Sequence, residues 1–148
     1  MQSDNPEDST TLSLRPVGQL TGQFWVRSYQ RGYRWGTDEV VKLLEDIAES
    51  LRDREELGKL SNYCLQPIVV RALEGGRYEL IDGQQRLTTL YLVFRCVQEL
   101  CLPNSKPSFS LDYETRPRST EYLATLAADS KDDNIDFAHM YAAYEHIR

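Results

Sequence analysis

Five consecutive residues, Asp82-Gly83-Gln84-Gln85-Arg86, stand between an apolar run ending at Ile81 and an apolar helical pattern beginning at Leu87. Their types suit phosphate chemistry. A helix N-terminus offers unpaired backbone N–H groups and about half a positive charge. Gly83 has no Cβ to hold an anion away from the backbone. Gln84 and Gln85 carry amide donors and acceptors, and Arg86 carries a planar, permanently charged fork that matches phosphate oxygens. Asp82 is the one carboxylate in the run and could hold Mg2+, orient water or pair with an arginine. The same residues also fit a plain helix start. Asp82 and Gln85 have capping-box spacing, in which case Gly83 turns the chain and Arg86 is a surface charge.

A second constellation lies upstream, in the stretch SYQRGYRWG at 28–36. It places Tyr29, Tyr33 and Trp35 among Gln30, Arg31 and Arg34. Aromatic faces with interleaved arginines stack bases and clamp phosphates. The competing arrangement is an aromatic loop anchored in the core, with arginine stems laid along it and their heads in water. From Ser9 to Thr37 the chain has no Asp or Glu, yet it carries Arg15, Arg27, Arg31 and Arg34. Such an island in an acidic chain reads either as a local anion site or as chance clustering on a solvated loop.

The elements that must position these residues are legible from periodicity. The stretch GQFWVRSYQ has the aromatic and β-branched content of a short strand leading into a loop. Residues 36–53 read as a helix with start signals at Gly36-Thr37-Asp38 and a core stripe of Val40, Val41, Leu43, Leu44, Ile47 and Leu51. Glu39, Glu45 and Asp46 fall on its solvated side. A polar connector follows at 54–62. Residues 63–81 read as a β-hairpin turning at Gly75-Gly76, with Pro67 implying an edge position or a bulge. After Arg86 comes a helix that is apolar nearly all round: Leu87, Leu90, Tyr91, Phe94 and Val97 on one face, Leu92, Val93 and Cys96 filling much of the rest. A helix of that kind belongs in the middle of a fold. Phe109, Leu111 and Tyr113 alternate as in a strand. A short helix follows with Ser119 or Thr120 as its cap. The last helix carries Phe137, Met140, Tyr141, Tyr144 and Ile147 on one face and meets no stop signal before Arg148. That ending is what a chain cut within a helix would give, and the expectation is a truncated N-terminal part of a longer protein. The fold class expected is α+β: a small mixed sheet built around the hairpin, packed against the buried helix, with helices at both sides.

Bulk properties narrow the function classes. A chain of 148 residues, 41% hydrophobic and 27% charged, suits one soluble globular domain. Residues 1–11 have the polar, acidic composition of a disordered tail, leaving 12–148 as the domain. No run of about 18 apolar residues is present to span a membrane, and no secretory leader pattern opens the chain. The expected location is the cytoplasm, with Cys64, Cys96 and Cys101 as buried reduced thiols. His139 and His146 are seven apart, the wrong spacing for a two-histidine metal site on one helix face. The net charge of −6 argues against indiscriminate nucleic-acid binding.

The segments FWVRSYQRGYRWGTDEVVKLLEDI, YCLQPIVV and YELIDGQQRLTTLYLV, in that order, resemble the N-terminal domain family of GmrSD-type modification-dependent restriction enzymes. LDYETRPRSTEYLATL and NIDFAHMYAAYEHI also look like family segments, so the resemblance runs from about residue 17 onward. It implies a ParB- and sulfiredoxin-like fold and an NTP-binding, NTP-hydrolysing regulatory domain of a phage-defence restriction system. It also implies a C-terminal His-Asn-His-type nuclease partner domain, with DNA engaged through the full-length protein. Carried over by motif, Asp82, Gly83, Gln84, Gln85 and Arg86 form the nucleotide or catalytic site, and Tyr29, Gln30, Arg31 and Arg34 its other wall. Asp82 would bind Mg2+ or place water, a glutamine would orient that water, and Arg31 and Arg86 would neutralise phosphate. Where relatives often have Pro, this chain has Gly32, as it has Ser28 near another common Pro. A looser loop around Arg31 is the expected consequence.

Three other functions fit the same residues. A DNA-binding or modification-sensing module without turnover would use the arginines on phosphates and the aromatics on bases. A ParB-like nuclease would cut DNA directly, with Asp82 as a thin metal-ligand set. The motif could also merely brace the core.

Overall fold

The computed structural model describes residues 11–58, 63–100, 107–114 and 117–148. The expected tail at 1–11 and the third cysteine, Cys101, therefore fall outside the described residues, except for Thr11. Strands β1 (Gly22–Val26), β2 (Val69–Ala72), β3 (Arg77–Asp82) and β4 (Phe109–Tyr113) form one sheet in the order β2-β3-β1-β4. Helices α1 (Thr37–Leu57), α2 (Gln84–Leu100), α3 (Pro117–Thr125) and α4 (Ile135–Ile147) complete the α+β architecture. β1 is central and runs parallel to both β3 and β4, while β2 pairs antiparallel with β3. The sheet is thus small and mixed, as the alternation of strand and helix patterns predicts.

Burial follows the strand period. Phe24 and Val26 of β1, Leu80 of β3, and Phe109, Leu111 and Tyr113 of β4 point into the core. Leu87, Leu92 and Cys96 of α2 meet Phe137, Met140 and Tyr144 of α4 in the same cluster. Tyr122 of α3 stacks on Phe137 with ring centroids 4.2 Å apart. α2 is the central helix that its all-round apolar pattern predicts. Asn134 starts α4 by accepting the Phe137 N–H at 2.9 Å.

The hairpin turns through Glu74–Gly76, with Gly75 and Gly76 both at φ +73. Its first strand is shorter than expected: residues 63–68 are not strand, and pairing begins after Pro67, which supplies no N–H to a ladder. β2 is the sheet edge and has a register irregularity between Val69 and Val70, the placement that Pro67 signalled.

Three sequence expectations need correction. The α1 stripe is core only in its first half: Val40 and Leu43 are buried, but Leu51 is 55% exposed. α1 continues to Leu57, taking in part of the expected connector, and its later turns have no layer to pack on. Neither Ser119 nor Thr120 caps α3, which begins earlier, at Pro117. Ser119 is buried, and the Thr120 hydroxyl donates to the Leu111 carbonyl at 2.9 Å, tying α3 to β4. Cys64 is exposed rather than buried; Cys96 is buried, and desolvation pushes its thiol up to about 11.

Buried phenols make the core sensitive to alkali. Burial pushes Tyr33, Tyr122 and Tyr144 up to about 12 from the ordinary 10. A raised folded value means that the unfolded chain loses these protons first. The stabilisation is therefore complete below about pH 10 and is lost as pH rises towards 12. The melting temperature should be flat from neutral pH to about 9.5 and then fall. Tyr33→Phe should flatten part of that fall, as scanning calorimetry across pH would record.

Candidate functional site

The site is assembled where β3 ends and α2 begins. Gly83 has φ +94, a region that side chains rarely enter, and a Cβ there would lie 2.6 Å from Ile68 Cγ2. The first hydrogen bond of α2 runs from Leu87 N–H to the Gly83 carbonyl at 3.0 Å. The helix thus starts at Gly83, one residue later than the Asp82 capping box requires. Among the described residues no side chain caps the N–H groups of Gln84, Gln85 and Arg86. The positive end of α2 stays open to a ligand.

The loop at 27–36 lies across this end and is sewn to it by amides. Gln30 Nε2 donates to the carbonyls of Leu80 (2.5 Å) and Ile81 (3.3 Å). Gln84 Nε2 donates to Arg31 O at 2.5 Å. Gln85 makes three bonds: its Nε2 donates to Gly32 O at 2.9 Å, and its Oε1 accepts from Arg34 N at 2.7 Å and Trp35 N at 3.2 Å. Tyr33 descends into the core, where its hydroxyl meets Thr89 Oγ1 at 2.9 Å.

Between loop and helix lies a cleft of about 260 Å3, lined by Gln30, Arg31, Trp35, Asp82, Gly83, Gln84, Gln85 and Arg86. The two sequence constellations therefore meet, but two of the expected wall residues stand outside the lining. Tyr29 is 67% exposed. Arg34 turns away to pair with the buried Asp136 and donates to its neighbour's carbonyl, Tyr33 O, at 2.9 Å. Trp35 lines the cleft although the sequence marked it only as one aromatic among three.

The electrostatics also differ from the linear reading. A stretch free of acids in sequence is not free of them in space. Arg27 lies 3.8 Å from Glu79 and 3.6 Å from Glu114, with its guanidinium over the Trp25 ring. Asp136 neutralises Arg34 from 102 residues away. Of the four-arginine island only Arg31 faces the cleft. Arg86 faces it from the other side, held by Gln66 O at 2.9 Å, Pro67 O at 3.3 Å and Gln66 Oε1 at 2.8 Å. These acceptors are uncharged, so the guanidinium is oriented without being neutralised.

One polar atom at the cleft is unmatched. Gln84 is 8% exposed, and its Oε1 is buried without a hydrogen-bond partner. Such an acceptor costs about 1–3 kcal/mol until a donor meets it, and a ligand carrying N–H or O–H groups would supply one. Asp82 is exposed and is the only carboxylate in the lining. Among the described residues no group of three or more His, Cys, Asp or Glu side chains could hold a metal. A single carboxylate still suits Mg2+ that arrives on phosphates, since that ion keeps several waters and takes one or two protein carboxylates. The volume is below the roughly 300–1,000 Å3 of sites that enclose a drug-sized ligand. It matches a phosphate chain or one ring of a nucleotide, with the remainder lying towards solvent.

Gly32 corrects the expectation of a looser loop. Its missing side chain is replaced by the Asp136 carboxylate, and a Cβ would overlap both carboxylate oxygens. The loop is pinned at that residue.

Comparison with known proteins gives one match. A family model described as the GmrSD restriction endonuclease N-terminal domain matches residues 17–146. No curated protein matches the chain. No solved structure matches it either. No helix among the described residues is long and apolar enough to cross a membrane.

Proposed function

The chain belongs to the family of GmrSD restriction endonuclease N-terminal domains, and from that membership we propose that its cleft is a nucleotide site. In this reading it binds and hydrolyses NTP with Mg2+ and so regulates a DNA restriction system. The observation that carries the reading is a convergence of positive charge. The uncapped N-terminus of α2 meets Arg31 and Arg86, neither of which has a carboxylate partner among the described residues. A phosphate chain is the ligand for which that field is preorganised.

Within the proposal, Gly83 and the first N–H groups of α2 contact phosphate, and Arg31 and Arg86 offset its charge from opposite sides. Asp82 takes Mg2+, which supplies further charge neutralisation when bound with the phosphates. Gln84 Oε1 accepts from a donor on the ligand. Gln85 is spent on the loop and is the least suited of the motif to orient water, which leaves that role to Asp82 or Gln84. Arg34 supports the wall from behind. The fold kinship proposed is ParB- and sulfiredoxin-like, with DNA and a C-terminal nuclease-type domain as partners of the whole protein.

The test is calorimetric titration of the four NTPs with Mg2+ into wild type and Arg86→Ala, with phosphate release followed in the same samples. Wild type should bind saturably. Arg86→Ala should bind about tenfold more weakly, the loss expected for one charge-assisted contact of about 1.5 kcal/mol at a half-exposed site. No saturable binding by a folded wild type overturns the proposal.

One observation favours a second reading, a DNA-contacting module without turnover. Tyr29 and Arg31 stand exposed together at the mouth of the cleft, a pairing that can stack a base and hold its phosphate. That reading predicts DNA affinity that falls steeply with salt and is lost in Arg31→Ala.

A further inference from the structure

We propose that Asp136, in the first turn of α4, is a positioning residue for the cleft: it fixes the 30–36 loop against α2 and so sets where Arg31 stands. The part of this that concerns ligand affinity rests on the nucleotide reading; the part that concerns the loop does not.

Asp136 is 3% exposed and contributes nothing to the cleft lining. A buried carboxylate is retained at a cost unless it is paired, and its partner is Arg34, in the loop. The same carboxylate fills the space of the side chain that Gly32 lacks. Asp136 therefore grips the loop twice, by charge at Arg34 and by shape at Gly32. His139, one turn further along α4, adds a third contact, with Nδ1 3.3 Å from Trp35 O.

Each gripped residue is also a partner of α2. Gly32 O takes Gln85 Nε2, and Arg34 N and Trp35 N donate to Gln85 Oε1. Arg31 sits between Gln30, bonded to β3, and Gly32, and its own carbonyl takes Gln84 Nε2. The loop is clamped between two helices, α2 on the cleft side and α4 behind. With the rear contact removed, the amide bonds to Gln85 have to hold the loop alone. Arg31 then samples more positions, and a ligand must pay to order it.

A simpler role would be local. An acid in the first turn steadies α4 through the helix dipole. The two roles separate in a double-mutant cycle, because an acid acting through Arg34 cannot be lost twice. Asp136→Asn keeps the shape and removes the charge; Arg34→Met removes the cation and keeps much of the stem. Both singles and the double are compared with wild type by hydrogen exchange at the Arg34 and Trp35 amides and by titration with Mg2+ and the tightest-binding NTP. Thermal melts establish that each variant is folded.

Each single should speed exchange at Arg34 and Trp35 about tenfold, leave β1 and β3 amides unchanged, and weaken NTP binding about tenfold. The double should be no worse than either single. The inference is overturned if exchange at these two amides is unchanged in Asp136→Asn, if all amides quicken together, or if the losses simply add. Should Asp136→Asn fail to fold, Arg34→Met alone decides by the same exchange criterion. Wild type that binds no nucleotide would defeat the nucleotide reading, and the exchange arm would still judge the role of Asp136.

Discussion

Gly83→Ala should cost about 3 kcal/mol of folding stability, with strain at one residue and crowding at another as separable causes. At φ +94 a Cβ is strained wherever it points, at about 1–3 kcal/mol for backbone held in a sparsely populated region. The new methyl would also lie 2.6 Å from Ile68 Cγ2 and 3.3 Å from Ile68 Cα. The first contact is to a side chain that can rotate, the second to backbone that cannot, so part of an overpacking cost of about 1–3 kcal/mol remains. Urea unfolding measures the sum. In an Ile68→Ala background the same substitution should cost about half as much, since the crowding is gone and the dihedral strain is not. A full cost in both backgrounds would place the whole penalty in the backbone; no cost in either would mean that the turn at Gly83 is not as described. The substitution also bears on function, because Gly83 is where β3 hands over to the open N-terminus of α2.

The contrast between what was legible in the sequence and what was not runs along sequence distance. The location of the candidate site was legible, because Asp82 to Arg86 are contiguous and sit between two elements with clear periods. α2, the Gly75-Gly76 turn and the alternation of β4 were legible for the same reason: their signals are local. Partner choice was not. An amide side chain has a donor and an acceptor and gives no hint of which neighbour will use them, so Gln85 read as a catalytic amide and is found clamping a loop about 50 residues earlier in the chain. Arg34 read as an anion-binding charge because its neutralising acid, Asp136, lies in the last helix. Leu51 matched the α1 stripe perfectly and is exposed, since periodicity describes a helix face and not the length of the layer beneath it. Parallel pairing of β1 with both β3 and β4 is likewise a property of the assembled sheet, carried by no single segment. Gly32 is the instructive middle case. Its type suggested looseness, and only the Asp136 carboxylate against it explains why a glycine there makes the loop tighter.

Gln85→Ala should be about as damaging as Gly83→Ala, at roughly 3 kcal/mol, and Gln85→Glu should fall between it and wild type. The alanine leaves three backbone groups without their partner: the N–H groups of Arg34 and Trp35 and the carbonyl of Gly32. Each unsatisfied group costs about 1–3 kcal/mol when buried. Gly32 is buried, whereas Arg34 and Trp35 are half-exposed and water recovers part of their loss, which holds the total near the lower end. Glutamate keeps both acceptor bonds and strengthens them with charge, but it sets a carboxylate against the Gly32 carbonyl where the amide N–H stood. Stability in urea should therefore rank wild type, then Glu, then Ala, with the Arg34 and Trp35 amides exchanging fast only in the alanine variant. A residue whose business was to orient a water for hydrolysis would give the opposite pattern, stability near wild type in both variants and turnover abolished in both. The two outcomes separate a glutamine that builds the cleft from one that works inside it.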